Sequence, residues 1–156
     1  MKLLISEVLQ KAHAAKTKDK KISILQNNAS DVLLSLFIVN FDESVTPRIP
    51  PGDVPYKPND APKGTEHTVL DKEGKKLYYF CQGGADHLPQ AKVEQMYIAM
   101  LEGLHADEAE VVCKTFNKVL HKKYRITLNT VKEAFPNIKW GGRGGDQIPE
   151  GRRYTS

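Results

Sequence analysis

The sequence predicts a mainly α fold: a compact helical domain with a Pro-rich strap and a small β-hairpin inserted between two helical groups. Three observations lead there. Apolar residues recur at three- and four-residue spacing through the first forty residues and again from residue 89 to residue 135. Most of the nine prolines lie between residues 46 and 62, where no regular element survives the loss of donors and the fixed φ. Between that stretch and the second helical group stand two short β-rich runs around Asp71-Lys72-Glu73-Gly74.

The elements follow in order. Ile5, Val8, Leu9 and Ala12 form the buried stripe of a first helix that stops at Ala15-Lys16. Thr17 is a good N-cap for a second helix carrying Ile22, Ile24 and Leu25, and Ser30 caps DVLLSLFIVNF. That third segment is apolar on nearly every side, which predicts a deeply buried helix. TPRIPPGDVPYKPNDAP, residues 46–62, is read as an extended strap or linker, EHTVLDKEGKKLYYF as the hairpin, and CQGGADHL as a loop.

Pro89 opens the clearest helix, with Val93, Met96, Tyr97, Met100, Leu101 and Leu104 on its inner face. The next helix is predicted as one piece. Asp107, Glu108 and Glu110 crowd its first turn, and Lys118, Lys122 and Lys123 its end, which complements the macrodipole. Its core face is Ala109, Val112, Cys113, Phe116 and Leu120. Thr127 caps the last helix, with Ile126 and Val131 spaced as a hydrophobic staple, and Pro136 ends it at Phe135. One domain is expected over residues 1–138, with the strap and hairpin as an insert at 46–88 and a Gly/Arg-rich tail at 139–156.

The 156 residues are 40% hydrophobic and 27% charged, enough to bury a core without staples. A formal charge of +4 is too small to demand a polyanionic partner, so the placement of charge matters more than its total. The two cysteines make no disulfide framework, Met1–Ile5 runs directly into Ser6, Glu7 and Gln10, and no apolar run reaches the length of a membrane span. A reduced, cytoplasmic protein with no membrane partner is expected.

No motif specifies catalysis. The histidines at 13, 67, 87, 105 and 121 make no metal-ligand spacing with Cys81 or Cys113, and neither a phosphate loop nor a nucleophile elbow occurs. No cofactor and no enzyme activity are expected. The informative residues are basic. KTKDKK supplies Lys16, Lys18, Lys20 and Lys21 between the first two helices, and HKKYR supplies Lys122, Lys123 and Arg125 before the last one. Each turn carries a threonine, Thr17 or Thr127, at a helix N-cap. Hydroxyls, helix N-termini and cations together grip phosphates without reading sequence. Taken singly, each turn has an ordinary alternative as a solvated helix end. Arg143, Arg152 and Arg153 in the tail extend the basic set; its single GGRGG has the form of an arginine–glycine nucleic-acid tail and equally that of a flexible terminus.

Thr17-Lys18-Asp19-Lys20 running to Ile24-Leu25, and a Thr127-started helix closed by Phe135-Pro136-Asn137-Ile138, resemble the N-terminal helical DNA-binding domain of bacteriophage-type ATP-dependent DNA ligases. The Pro51–Tyr56 stretch and Val131-Lys132-Glu133-Ala134-Phe135-Pro136 are similar to short uncharacterised proteins of tailed phages, over most of the chain up to Ile138. The ligase resemblance covers the helical parts at both ends. The Lys-x-Asp-Gly nucleophile motif of ligases is missing, since the nearest string is Lys72-Glu73-Gly74-Lys75. The resemblance therefore implies a DNA-docking module without the enzyme, acting as a phage accessory protein in the host cytoplasm. An alternative is a protein-interaction factor that binds a host or phage enzyme through Tyr56, Tyr78, Tyr79 and Phe80. A minor virion component is a second alternative.

Overall fold

The structure, a computed structural model, describes residues 3–50, 52, 54–58 and 68–141. Helix α1 (Ile5–Ala14) buries Ile5, Val8, Leu9 and Ala12, the stripe that the spacing predicts. The Glu7 carboxylate accepts from the Leu4 N–H at 2.9 Å, and the helix stops where Ala15 turns extended, at ψ 137°. Helices α2 (Lys18–Asn27) and α3 (Asp31–Phe41) begin at the expected caps. The Thr17 hydroxyl accepts from Lys20 N–H at 3.2 Å and the Ser30 hydroxyl from Leu33 N–H at 3.1 Å. Val32, Leu33 and Ser35 through Asn40 are all buried in α3. A helix with no polar face has to be enclosed by its neighbours, and α3 packs on α6 (Ala106–Phe116) and on the segment that follows the strap.

That segment corrects the first expectation. Thr68–Phe80 is not a hairpin but helix α4 (Leu70–Glu73) running straight into a 3-10 helix (Gly74–Phe80). Leu70, Leu77 and Phe80 are fully buried on one side of it. Gly74, read as a turn residue, is right-handed at φ −59° and ψ −26°. Its hydrogen lets α4 lie against α3: a Cβ there would stand 2.1 Å from a Val32 methyl carbon. The glycine serves close packing, not chain reversal.

The strap needs correction too. Its first residues do not simply run over the surface, since Ile49 is buried and Pro47 and Arg48 are partly so. Pro47 makes an isolated antiparallel bridge to Cys81, with Arg48 N–H donating to the Phe80 carbonyl at 2.6 Å and Gln82 N–H to Thr46 at 2.8 Å. No β-ladder forms among the described residues. Further on, Lys57 N–H donates to Glu102 at 2.7 Å, which holds that stretch to α5 (Gln90–Gly103). Pro51, Asp53 and 59–62 of the predicted strap lie outside the described residues.

Helix α5 starts after Pro89 and buries Val93, Tyr97, Met100 and Leu101. The predicted long helix after it is broken. α6 ends at Phe116 and α7 (Leu120–Tyr124) starts again after a turn in which Lys118 is left-handed, at φ 58°. The break is held by α3. Lys118 Nζ donates to the carbonyls of Val39 at 2.7 Å and Asp42 at 3.0 Å, and the Asn40 amide oxygen accepts from Leu120 N–H at 2.9 Å. The Lys118 contacts satisfy carbonyls at the C-terminal end of α3, and the Asn40 side chain supplies an acceptor for the first N–H of α7. Burial pushes the Lys118 ammonium below the usual lysine range.

Glu108 also departs from its expected role as a first-turn charge. It is fully buried, and its two carboxylate oxygens accept from Ile5 N–H at 3.0 Å and Leu70 N–H at 2.9 Å. One side chain of α6 thus caps the starts of α1 and α4. The final helix, α8 (Leu128–Ala134), begins at Thr127, whose hydroxyl accepts from Thr130 N–H at 3.2 Å, and ends before Pro136. Ile126 and Val131 are both buried, as the staple spacing predicts. Edge-on contacts among Phe80, Tyr97 and Phe116, with ring centroids 5.2–5.9 Å apart, sit in the core.

Candidate nucleic-acid interface

The two basic turns come from opposite ends of the chain and meet. Helix α2 packs on α1 and α8, and α7 packs on α1. At their junction Lys21 Nζ donates to the Arg125 carbonyl at 3.1 Å. Arg125 is itself left-handed, at φ 53°, and closes α7. Gln26 of α2 reaches the Ala134 carbonyl at the end of α8, at 2.9 Å.

Lys16, Lys18, Lys20, Lys122, Lys123, Arg125 and both threonines are exposed; Lys21 is half-buried through its bond to Arg125. The hydroxyls of Thr17 and Thr127 already accept from their own helix N–H groups, and Thr127 also bonds the Thr130 hydroxyl. They order the turns. Lys18 pairs with Glu133, and Lys123 pairs with Glu110 and lies over the Tyr124 ring. Arg143, Arg152 and Arg153 lie outside the described residues.

Shallow depressions run along this face. One, of about 490 Å³, lies between α1, α6 and α7 and is lined by Ser6, Glu7, Gln10, Lys11, Asp107, Lys123 and Tyr124. A second, about 530 Å³, is bordered by Glu110, Lys114, Val119, Lys122 and Lys123. A third, about 610 Å³, runs from Lys11 past Ala14 and Ala15 to Lys20 and Ile24. Lys11 and Lys114 thus join the face although neither belongs to a basic turn. Their only signal in the sequence is their place on the polar side of their helices. In the first depression, burial and the nearby Asp107 carboxylate push the Tyr124 hydroxyl up to about 12. His13 meets the Tyr124 ring edge-on, with centroids 6.4 Å apart.

The alternative patch does not assemble as expected. Tyr56, Tyr78 and Tyr79 are half-buried, but Phe80 is fully enclosed between Tyr97 and Phe116. Phe80 is a core residue and presents nothing to a partner. Its place in an -LYYF- run gave no warning, because the 3-10 turn that points it inward was not foreseen.

Cys81 is buried and Cys113 partly so, both as free thiols. Among the described residues no three His, Cys, Asp or Glu side chains converge as metal ligands, and no helix is long and apolar enough to cross a membrane. No curated protein and no solved structure matches the chain. A protein-family comparison does match, over residues 8–122, from within α1 to within α7. The chain therefore belongs to a family of unknown function, DUF6433.

Proposed function

We propose that this protein is a non-catalytic phage accessory protein that binds duplex DNA through its phosphate backbone, in the manner of the ligase DNA-binding domains its sequence resembles, and works in the host cytoplasm. One observation carries the reading. The two joined turns hold Lys16, Lys18, Lys20, Lys21, Lys122, Lys123 and Arg125, against three carboxylates on them or paired to them, Asp19, Glu110 and Glu133. That difference equals the whole formal charge of the chain, +4. The rest of the protein is therefore electrically balanced, and the excess that attracts a polyanion lies in one corner.

The corner grips without reading bases. Lysine and arginine side chains on short turns reach phosphates, contacts that carry no sequence information. Lys21 stays with Arg125, so six cations (Lys16, Lys18, Lys20, Lys122, Lys123 and Arg125) are available to phosphates. Lys18 and Lys123 exchange a carboxylate for a phosphate when they bind.

Fluorescence anisotropy of a labelled duplex, titrated from low to physiological salt, tests this. Six neutralised phosphates give a slope of log K against log salt of about −5. Replacing Lys122 and Lys123 together by alanine flattens it by about two, equally for unrelated sequences. No saturable binding at low salt, or a slope untouched by that double replacement, removes the reading. The protein-directed alternative loses its central anchor with the burial of Phe80 and is not favoured.

A further inference from the structure

The depression of about 490 Å³ between α1, α6 and α7 holds groups that the basic corner does not use. Its residues sort by burial. Ser6 and Tyr124 are buried and make the floor, whereas Gln10, Lys11 and Asp107 are exposed and make the rim. The Ser6 hydroxyl oxygen is buried and has no hydrogen-bond partner. A polar atom in that state is a standing cost, and folded proteins keep few of them. The Tyr124 hydroxyl stays protonated at neutral pH, because burial and then the Asp107 carboxylate push it up to about 12. The floor therefore offers two uncharged hydroxyls.

The rim carries both signs of charge. Glu7 is held by the Leu4 N–H and Lys123 by Glu110. Lys11 on α1 and Asp107 on α6 remain, on different walls. The His105 nitrogen 3.8 Å from the Asp107 carboxylate accepts from the Asp107 N–H at 3.1 Å, so it has no proton to share. The start of α1 adds no anion site, since the Leu4 and Ile5 N–H groups donate to Glu7 and Glu108. A phosphate here meets the carboxylates of Glu7 and Asp107, and a plain cation meets the ammonium groups of Lys11 and Lys123. A small molecule with one charge of each sign and a neutral polar arm meets neither objection, and the volume suits one.

We infer that the depression binds a free α-amino acid with an uncharged polar side chain: its carboxylate on Lys11, its ammonium on Asp107, and its side chain on the hydroxyls of Ser6 and Tyr124, with the Gln10 carboxamide at the rim. The inference does not rest on the duplex-binding reading, and none of these residues is among the six cations of the corner.

Calorimetric titration of the intact protein with L-glutamine, L-asparagine, L-serine and L-threonine is the test. At least one binds saturably at millimolar concentration. Ser6→Ala weakens that ligand about three- to tenfold, yet folds at least as well as wild type, because it removes a hydroxyl that the free protein leaves unpaired. Asp107→Asn weakens it about tenfold or more, and so does acetylating the amino group or amidating the carboxylate of the ligand. Duplex affinity is unchanged in Ser6→Ala. If none of the four binds, if a blocked ligand binds as tightly as its parent, or if Ser6→Ala and Asp107→Asn both leave the affinity unchanged, the site is overturned. Inorganic phosphate binding in place of the amino acids overturns it as well, while duplex binding stands or falls by its own salt slope.

Discussion

Glu108 holds more of the architecture than any surface charge. A buried carboxylate that accepts from two backbone N–H groups stabilises both helix starts, and its removal strands two buried donors at about 1–3 kcal/mol each. Glu108→Ala is therefore expected to lower stability by about 2–6 kcal/mol, and Glu108→Gln, which keeps one acceptor oxygen, by roughly half as much. Urea unfolding followed by circular dichroism checks both, and equal midpoints for wild type and alanine would refute the bridging role. Reading the sequence, Glu108 cannot be told from Asp107, because both are acids in a helix's first turn. Only the positions of α1 and α4, remote in the chain, separate a solvated charge from a buried keystone. Lys118 is the same case with the sign reversed. It reads as a helix-end cation and is in fact the cap on α3.

The helices divide by what determines their ends. Thr17, Ser30, Thr127 and Pro136 mark boundaries through chemistry local to each one, so those boundaries were legible. The Leu70–Phe80 segment was not, because aromatic and branched residues over so short a run suit a strand or a helical turn alike. What decides is the fit of Gly74 under Val32, which depends on a residue in another helix. Gly74→Ala is expected to cost about 1–3 kcal/mol through overpacking, despite the better helix propensity of alanine. Val32→Ala in the same chain removes the methyls concerned, so the double variant should lose less than the two single losses added together. Additive losses in thermal or urea unfolding would mean that Gly74 matters for some reason other than that contact.

Across the whole molecule, the alkaline limb of stability reports on buried phenols. Burial raises the Tyr97 hydroxyl well above the phenol range and Tyr124 to about 12. Between the ordinary phenol value of 10.0 and that level, the folded chain keeps protons that the unfolded chain has released. Stability then falls as pH rises through this window. Lys118 acts oppositely, since its lowered value means that the unfolded chain binds the extra proton. Tyr124→Phe is expected to make the loss shallower above pH 10 and to leave the neutral range unchanged, which a series of urea midpoints against pH measures. The candidate site, too, was only half legible at this scale. Its cations and capping threonines stand in the sequence, but their union, the loss of Lys21 to the Arg125 carbonyl and the neutralising Glu110 and Glu133 come from packing.

The bond between Lys21 and Arg125 spans 104 residues of chain. A ribosome adding about 5–20 residues per second therefore completes the second turn roughly 5–20 s after the first. During that interval the emerging chain displays KTKDKK alone, with four of the corner's seven cations and no partner surface. The joined basic surface therefore exists only in finished protein, and on the proposed reading a nascent chain lacks the full grip.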